Sequence, residues 1–188
     1  STLSSVCATT QFATTPNSAN WNLPATYTIA AWINASASDG RIVSQQGATG
    51  NWGIAVSTAG RLRHFDSRDG ASFADAKLLP ATPTLLGGWH MVHVVRINGS
   101  QRRYYIDGVF VSSSVALSTN SFSSHPNNSS LEIGRAVGGT EFFNGAIDDV
   151  RIDIASLTDD DIMLEWTTQM HKYSSDSGIT FSTVAGSY

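Results

Sequence analysis

Apolar and polar residues alternate along much of this chain with a period of two, the spacing of strands with one covered face. The clearest run goes from Ala146 to Ile154. It sets Asp148, Val150, Ile152 and Ile154 on one face and Ile147, Asp149, Arg151 and Asp153 on the other. The first face is apolar except for Asp148, which the strand carries into or beside a core. Tyr27 to Asn34 is almost continuously apolar, which predicts a strand covered on both faces, as in the middle of a sandwich. Trp89 to Asn98 reads as a long strand, with His90, Val92, Val94 and Arg96 opposite Met91, His93, Val95 and Ile97. Asn98-Gly99 is a two-residue hairpin signal leading into Gln101 to Ile106, and Asp107-Gly108 turns the chain again into Val109 to Ser112. Shorter strands are expected at Arg41 to Gln45, Trp52 to Ser57, Arg61 to Phe65 and Leu131 to Gly134, with long polar loops at Asp66 to Lys77 and Ser113 to Ser130. The second loop surrounds a short strand near Val115 to Leu117. One short helix follows the Ala146 run. Thr158 is its N-cap, Asp161 completes a capping box, Asp159 and Asp160 suit the helix dipole, and Leu157 can staple onto Ile162.

A chain of 188 residues fits one all-β domain. Its net charge of −4 and 11 scattered Lys and Arg residues argue against a nucleic-acid surface. No apolar run is long enough to span a bilayer, and no signal peptide is visible. Cys7 is alone, so no internal disulfide is expected, and the residue reads as a small buried hydrophobe rather than a reactive thiol.

Asn144-Gly145-x-Ile147-Asp148-Asp149-Val150-Arg151-Ile152, followed by Leu157-x4-Ile162, resembles the closing signature of laminin-G-like, concanavalin A-type jelly-roll modules. Tyr27 to Ile33, Gly88 to Val94 and Tyr104 to Gly108 resemble earlier blocks of that family, in order, so the likeness covers roughly residues 10 to 166. It implies an antiparallel two-sheet jelly-roll sandwich over residues 15–166 with one short C-terminal helix. Residues 1–14 become an arm or edge strand, and 167–188 a polar tail in which Ile179 to Val184 could add a strand or dock on a neighbour. The family's Asp-Gly turn near the first strand is replaced by Thr14-Thr15-Pro16-Asn17, which weakens a calcium site shared between the first and last strands.

Catalytic patterns are missing. Glu132, Glu141 and Glu165 do not form the Glu-x-Asp-x-x-Glu of jelly-roll glycanases, and there is no Gly-x-Ser-x-Gly elbow, His-Glu-x-x-His or phosphate loop. The expectation is a protein that is not an enzyme. His90 and His93, three apart on a strand, point to opposite faces and cannot share a metal. Calcium is the one cofactor to weigh, with ligands from Asp148 and Asp149, or from the loops carrying Asp39, Asp66, Asp69 and Asp75, which read more readily as solvated turns. Against that stands a structural role for Asp148, accepting backbone N–H bonds in a buried corner. Sugar binding needs an aromatic plate beside planar polar groups. Trp52, Phe65, Phe73 and Phe142 are the aromatic candidates, with His64, Arg63, Arg68 and Asp69 nearby; the same aromatics also suit core positions at strand edges.

Two functions remain open. One is a recognition module for carbohydrate or another cell-surface ligand, which the resemblance implies. The other is a structural adhesion or decoration subunit on a virion or similar assembly, self-associating through its terminal segments. Both place the chain outside the cell or on a virion surface, with a glycan or surface protein as partner and neither nucleic acid nor membrane insertion.

Overall fold

The computed structural model describes residues 5–7, 11–47, 50–67, 75–80, 82–115, 129–139 and 141–177. Its strands are β1 (Ser5–Cys7), β2 (Ala13–Thr14), β3 (Tyr27–Ala35), β4 (Gly40–Gly47), β5 (Gly50–Ser57), β6 (Arg61–Ser67), β7 (Asp75–Leu78), β8 (Trp89–Ile97), β9 (Gln101–Ile106), β10 (Val109–Val115), β11 (Leu131–Ile133) and β12 (Gly145–Asp153), followed by helix α1 (Asp159–Ser177). They form two six-stranded sheets. Sheet A has the order β1-β12-β3-β8-β9-β10 and sheet B the order β2-β11-β4-β5-β6-β7; all their pairings are antiparallel. This is the jelly-roll sandwich that the family resemblance implies. The two short N-terminal strands serve as edges, one in each sheet.

Between the sheets lies a single core that includes Tyr27, Ile29, Ile33, Trp52, Ile54, Val56, Val92, Val94 and Phe143. The Asn98-Gly99 and Asp107-Gly108 turns form as predicted, with both central residues at positive φ in each. At Gly145 a side chain is excluded, because a Cβ there would stand 2.0 Å from the carbonyl oxygen of Asn34 on the paired strand.

The strand β12 departs from strict alternation. Asp148 pairs with Trp32 and Arg151 with Ala30, so three steps on β12 match two on β3. The extra residue is Asp149, with φ of 46°. This bulge shifts the phase. Ile147 lies in the inter-sheet core and Val150 and Ile152 pack against it, while Asp148 pairs opposite Trp32 on the outer face. Ile154, expected on the buried face, is 80 % exposed.

The helix is also longer than the sequence suggested. Residues 167–177, read as the start of a polar tail, continue α1. Its capping box forms: the Thr158 N–H donates to Asp161 Oδ2 at 2.9 Å and the Asp161 N–H to Thr158 Oγ1 at 3.2 Å. The helix lies on the outer face of sheet A, where Ile162 packs with Val95 and Tyr105, and Tyr173 with Trp32, Trp89 and Met91. Tyr173 supplies what the tail reading lacked, an aromatic anchor four turns into the helix. The Ile179 to Val184 segment lies outside the described residues.

Candidate functional site

Sheet B carries no described helix on its outer face. Trp52, Ile54 and Val56 of β5 point into the core, so Gly53 and Ala55 face outward. Beside them, on β6, Arg63 and Phe65 also face out, since Leu62 and His64 point in. The Phe65 ring fills the space left by Gly53, where a Cβ would meet its Cζ at 2.4 Å. The Arg41 guanidinium of β4 stacks on this ring at 4.1 Å, and that of Arg63 lies 6.0 Å from it. Arg41 Nε donates to Glu141 Oε2 at 2.5 Å. Burial lowers the pKa of Arg41 from the usual guanidinium value, and Glu141 partly offsets this. Next to this stack is a cavity of about 180 Å³ lined by Asp39, Ala55, Val56, Ser57, Arg63 and Glu141. The half-exposed Glu141 carboxylate, the Asp39 carboxylate and the Arg63 guanidinium thus surround a small apolar floor. Towards the other edge, Arg135 grips both oxygens of Glu132 at 2.7 and 2.9 Å and stacks 3.4 Å over the Phe12 ring, which is itself 6.3 Å from Phe142. Planar guanidiniums on aromatic faces, with carboxylates beside them, form a rigid donor and acceptor surface.

Two of the expected ligand contacts lie elsewhere. Trp52 is fully buried, and its indole N–H donates to Gln45 Oε1 at 2.8 Å and to the Trp21 carbonyl at 3.2 Å. His64 is fully buried between the sheets, with Nδ1 3.2 Å from the Tyr104 hydroxyl and Nε2 3.4 Å from that of Tyr27. Neither can touch a ligand from outside, because β5 and β6 turn both inward. His64 belongs instead to a buried network in which Asp66 accepts from Arg96 and Arg102. Burial is the main reason that the Arg96 pKa falls to about 10. Arg68, Asp69 and Phe73 lie outside the described residues, on the segment joining β6 to β7. Sequence reasoning missed Arg41, and it weighed Asp39 only as a calcium ligand and Glu141 only as a catalytic carboxylate. Asp39 and Glu141 come from separate turns, and only the fold brings them together.

Asp148 and Asp149 are engaged by side chains of α1. Asp148 accepts from the Tyr173 hydroxyl at 2.9 Å and from the Asp149 backbone N–H at 2.8 Å. Lys172 Nζ lies 3.2 Å from Asp148 and 2.8 Å from Asp149. A cation in this place would need more oxygen donors than two carboxylates and would meet the ammonium. Among the described residues no group of three or more His, Cys, Asp or Glu side chains gathers where a metal could sit. His90 and His93 diverge as expected, His90 bonding Asp107 at 2.7 Å and His93 bonding Glu165 at 3.1 Å.

Residues 8–163 match the laminin-G-type family model described as the concanavalin A-like lectin/glucanases superfamily. The chain belongs to that superfamily. No individual curated protein matches it by sequence. Among solved structures with the superfamily's sandwich, it is similar to a native heptameric SAP-like pentraxin from Limulus polyphemus, at 17 % identity and a TM-score of 0.55, over 79 % of this chain and 77 % of that one. It is similar to domain 4 of AbnA, an extracellular arabinanase from Geobacillus stearothermophilus in complex with arabinotriose. There the identity is 16 % and the TM-score 0.65, over 85 % and 74 % of the two chains. The receptor binding domain of botulinum neurotoxin D matches at 12 % identity and a TM-score of 0.63 over 88 % of this chain, which spans 43 % of that one. No helix among the described residues is long and apolar enough to cross a membrane.

Proposed function

We propose that the chain is a non-catalytic recognition module that binds carbohydrate, or another polyhydroxylated cell-surface ligand, on the outer face of sheet B. The observation that carries this reading is the cavity walled by Asp39, Arg63 and Glu141 over an Ala55 floor. Planar carboxylates and a guanidinium can each span two neighbouring hydroxyls of a sugar. Strand β6 runs from this cavity to the segment carrying Arg68, Asp69 and Phe73, a span of about 13 Å from Arg63 to Ser67 at strand rise. The arabinanase domain, in complex with arabinotriose, and the toxin receptor binding domain support a binding role, and an extracellular or surface location accords with it. The alternative reading as an assembly subunit drew on terminal segments docking elsewhere; residues 167–177 pack on their own sandwich instead.

A glycan array tests the proposal. The wild type should give a selective signal that weakens about tenfold or more in Arg63→Ala, with melting temperature unchanged, and in Glu141→Gln, which also unpairs the buried Arg41 and so lowers stability. A blank array, or an unchanged signal in both variants, would count against it.

A further inference from the structure

The opposite end of sheet A holds a second cavity, of about 460 Å³, lined by Gln101, Arg102, Arg103, Phe110, Ser113 and Ser114. It lies along β9 and β10, the last two strands of the sheet. Phe110 is 49 % exposed, unusual for a ring this large, yet it is held in place: it pairs with Tyr105 and meets that ring edge-on at 5.7 Å and 73°. A bulge between Phe110 and Ser112 brings Ser113 opposite Arg103, onto the face that also carries Tyr105 and Phe110. Arg103 is immobilised, donating to Asp159 Oδ1 at 2.7 Å and to the Leu157 carbonyl at 3.0 Å, so its charge is already balanced. Ser114 bonds the Tyr104 hydroxyl at 3.1 Å, which ties the cavity wall to the buried network. Gln101 is exposed and lines the same cavity as Phe110.

We propose that this edge is a saccharide subsite, separate from the sheet B cavity, in which the apolar face of a neutral pyranose stacks on Phe110 and its hydroxyls bond Gln101 and Ser113. An exposed aromatic ring locked at one angle, bordered by an amide and hydroxyls, suits a ligand that has one apolar face and a polar rim. A second apolar protein surface would leave the amide and hydroxyls without partners. A charged sugar gains little here, because Asp159 already neutralises Arg103. The inference does not depend on the sheet B site.

The test is an NMR titration of the isotope-labelled protein with methyl glucoside, galactoside, mannoside and xyloside, and with methyl glucuronide as the charged counterpart. At least one neutral glycoside should shift the Gln101, Phe110 and Ser113 signals, with an affinity that changes less than about twofold between low and high salt. Phe110→Ala should weaken that affinity about tenfold, and Phe110→Trp should strengthen it, while Glu141→Gln leaves it unchanged. The proposal is overturned if none of the sugars moves these signals, or if Phe110→Ala binds as tightly as the wild type. Signals that move with protein concentration alone would overturn it too, by showing that a second copy covers the β10 edge. Shifts confined to Arg63 and Glu141 would sink this subsite and leave the sheet B reading standing.

Discussion

The two sheets have the same number of strands and share one core, but their outward residues are covered in different ways. On sheet A the outward residues of β3 and β8 are Trp32, Trp89, Met91 and Val95, and α1 closes over them. On sheet B the outward Arg41, Phe65 and Ala55 are buried too, with no described helix over them: the Arg41 guanidinium lies on the Phe65 ring, and that ring fills the space at Gly53. Trp32 shows how complete the closure is. Its ring stacks on Tyr173 at 4.1 Å and its indole N–H donates to Gln169 at 2.7 Å, so it is almost wholly buried. A strand residue that faces away from the sandwich is therefore not a surface residue by default. Which side is solvent depends on where the final helix lands, and apolar outward residues of sheet A decide that.

The contrast makes predictions of decreasing size. Trp32→Ala should cost about 3–5 kcal/mol in urea unfolding, because it empties the interface under α1. A cost below about 1 kcal/mol would mean that the helix is not anchored there. Gly53→Val on sheet B should cost about 1–3 kcal/mol by the same measurement. The added side chain meets Phe65 at 2.4 Å and the Val43 carbonyl at 2.7 Å, and only the first can move aside. Lys172→Met should lower stability by about 1 kcal/mol and addition of a chelator should leave it unchanged. A melting temperature that drops with chelator in the wild type would put a metal back beside Asp148.

The smallest effect is a pH dependence on the sheet A side. Burial alone would raise the Glu165 pKa, but the hydrogen bond and charge of His93 and the Arg151 guanidinium outweigh it, holding the carboxyl below its usual range. A depressed folded-state pKa means stability that is present above the unfolded-state value and lost as pH falls through the folded one. Chemical denaturation across acid pH should show that loss, and Glu165→Gln should flatten the curve. An identical slope in the variant would remove Glu165 from this role.

The fold was legible because its signals are local or periodic. The two type-specific turns at Asn98-Gly99 and Asp107-Gly108, the capping box at Thr158 and the apolar run of β3 each imply their own geometry, and four family-like blocks stand in order. The phase of β12 was misread because a bulge leaves no mark in a period-2 count; only pairing against β3 reveals that Asp149 is extra. The end of α1 was missed because Thr167 to Lys172 has few apolar residues, and Met170 and Tyr173 gain meaning only from Trp32 and Trp89. The site was less legible still. Trp52 and His64 alternate onto the inner face, while the cavity draws Asp39, Arg63 and Glu141 from stretches some 24 to 78 positions apart, a juxtaposition that no local pattern encodes.

The ammonium of Lys172 beside Asp148 and Asp149 has a consequence for where this protein can work. A free metal ion at that corner would tie the docking of the last helix to the mineral content of the surroundings. A cation covalently carried on α1 arrives with the helix at a fixed stoichiometry and cannot be diluted, exchanged or stripped away. The seam between β12 and α1 thus carries its own counter-charge, supplied by the sequence.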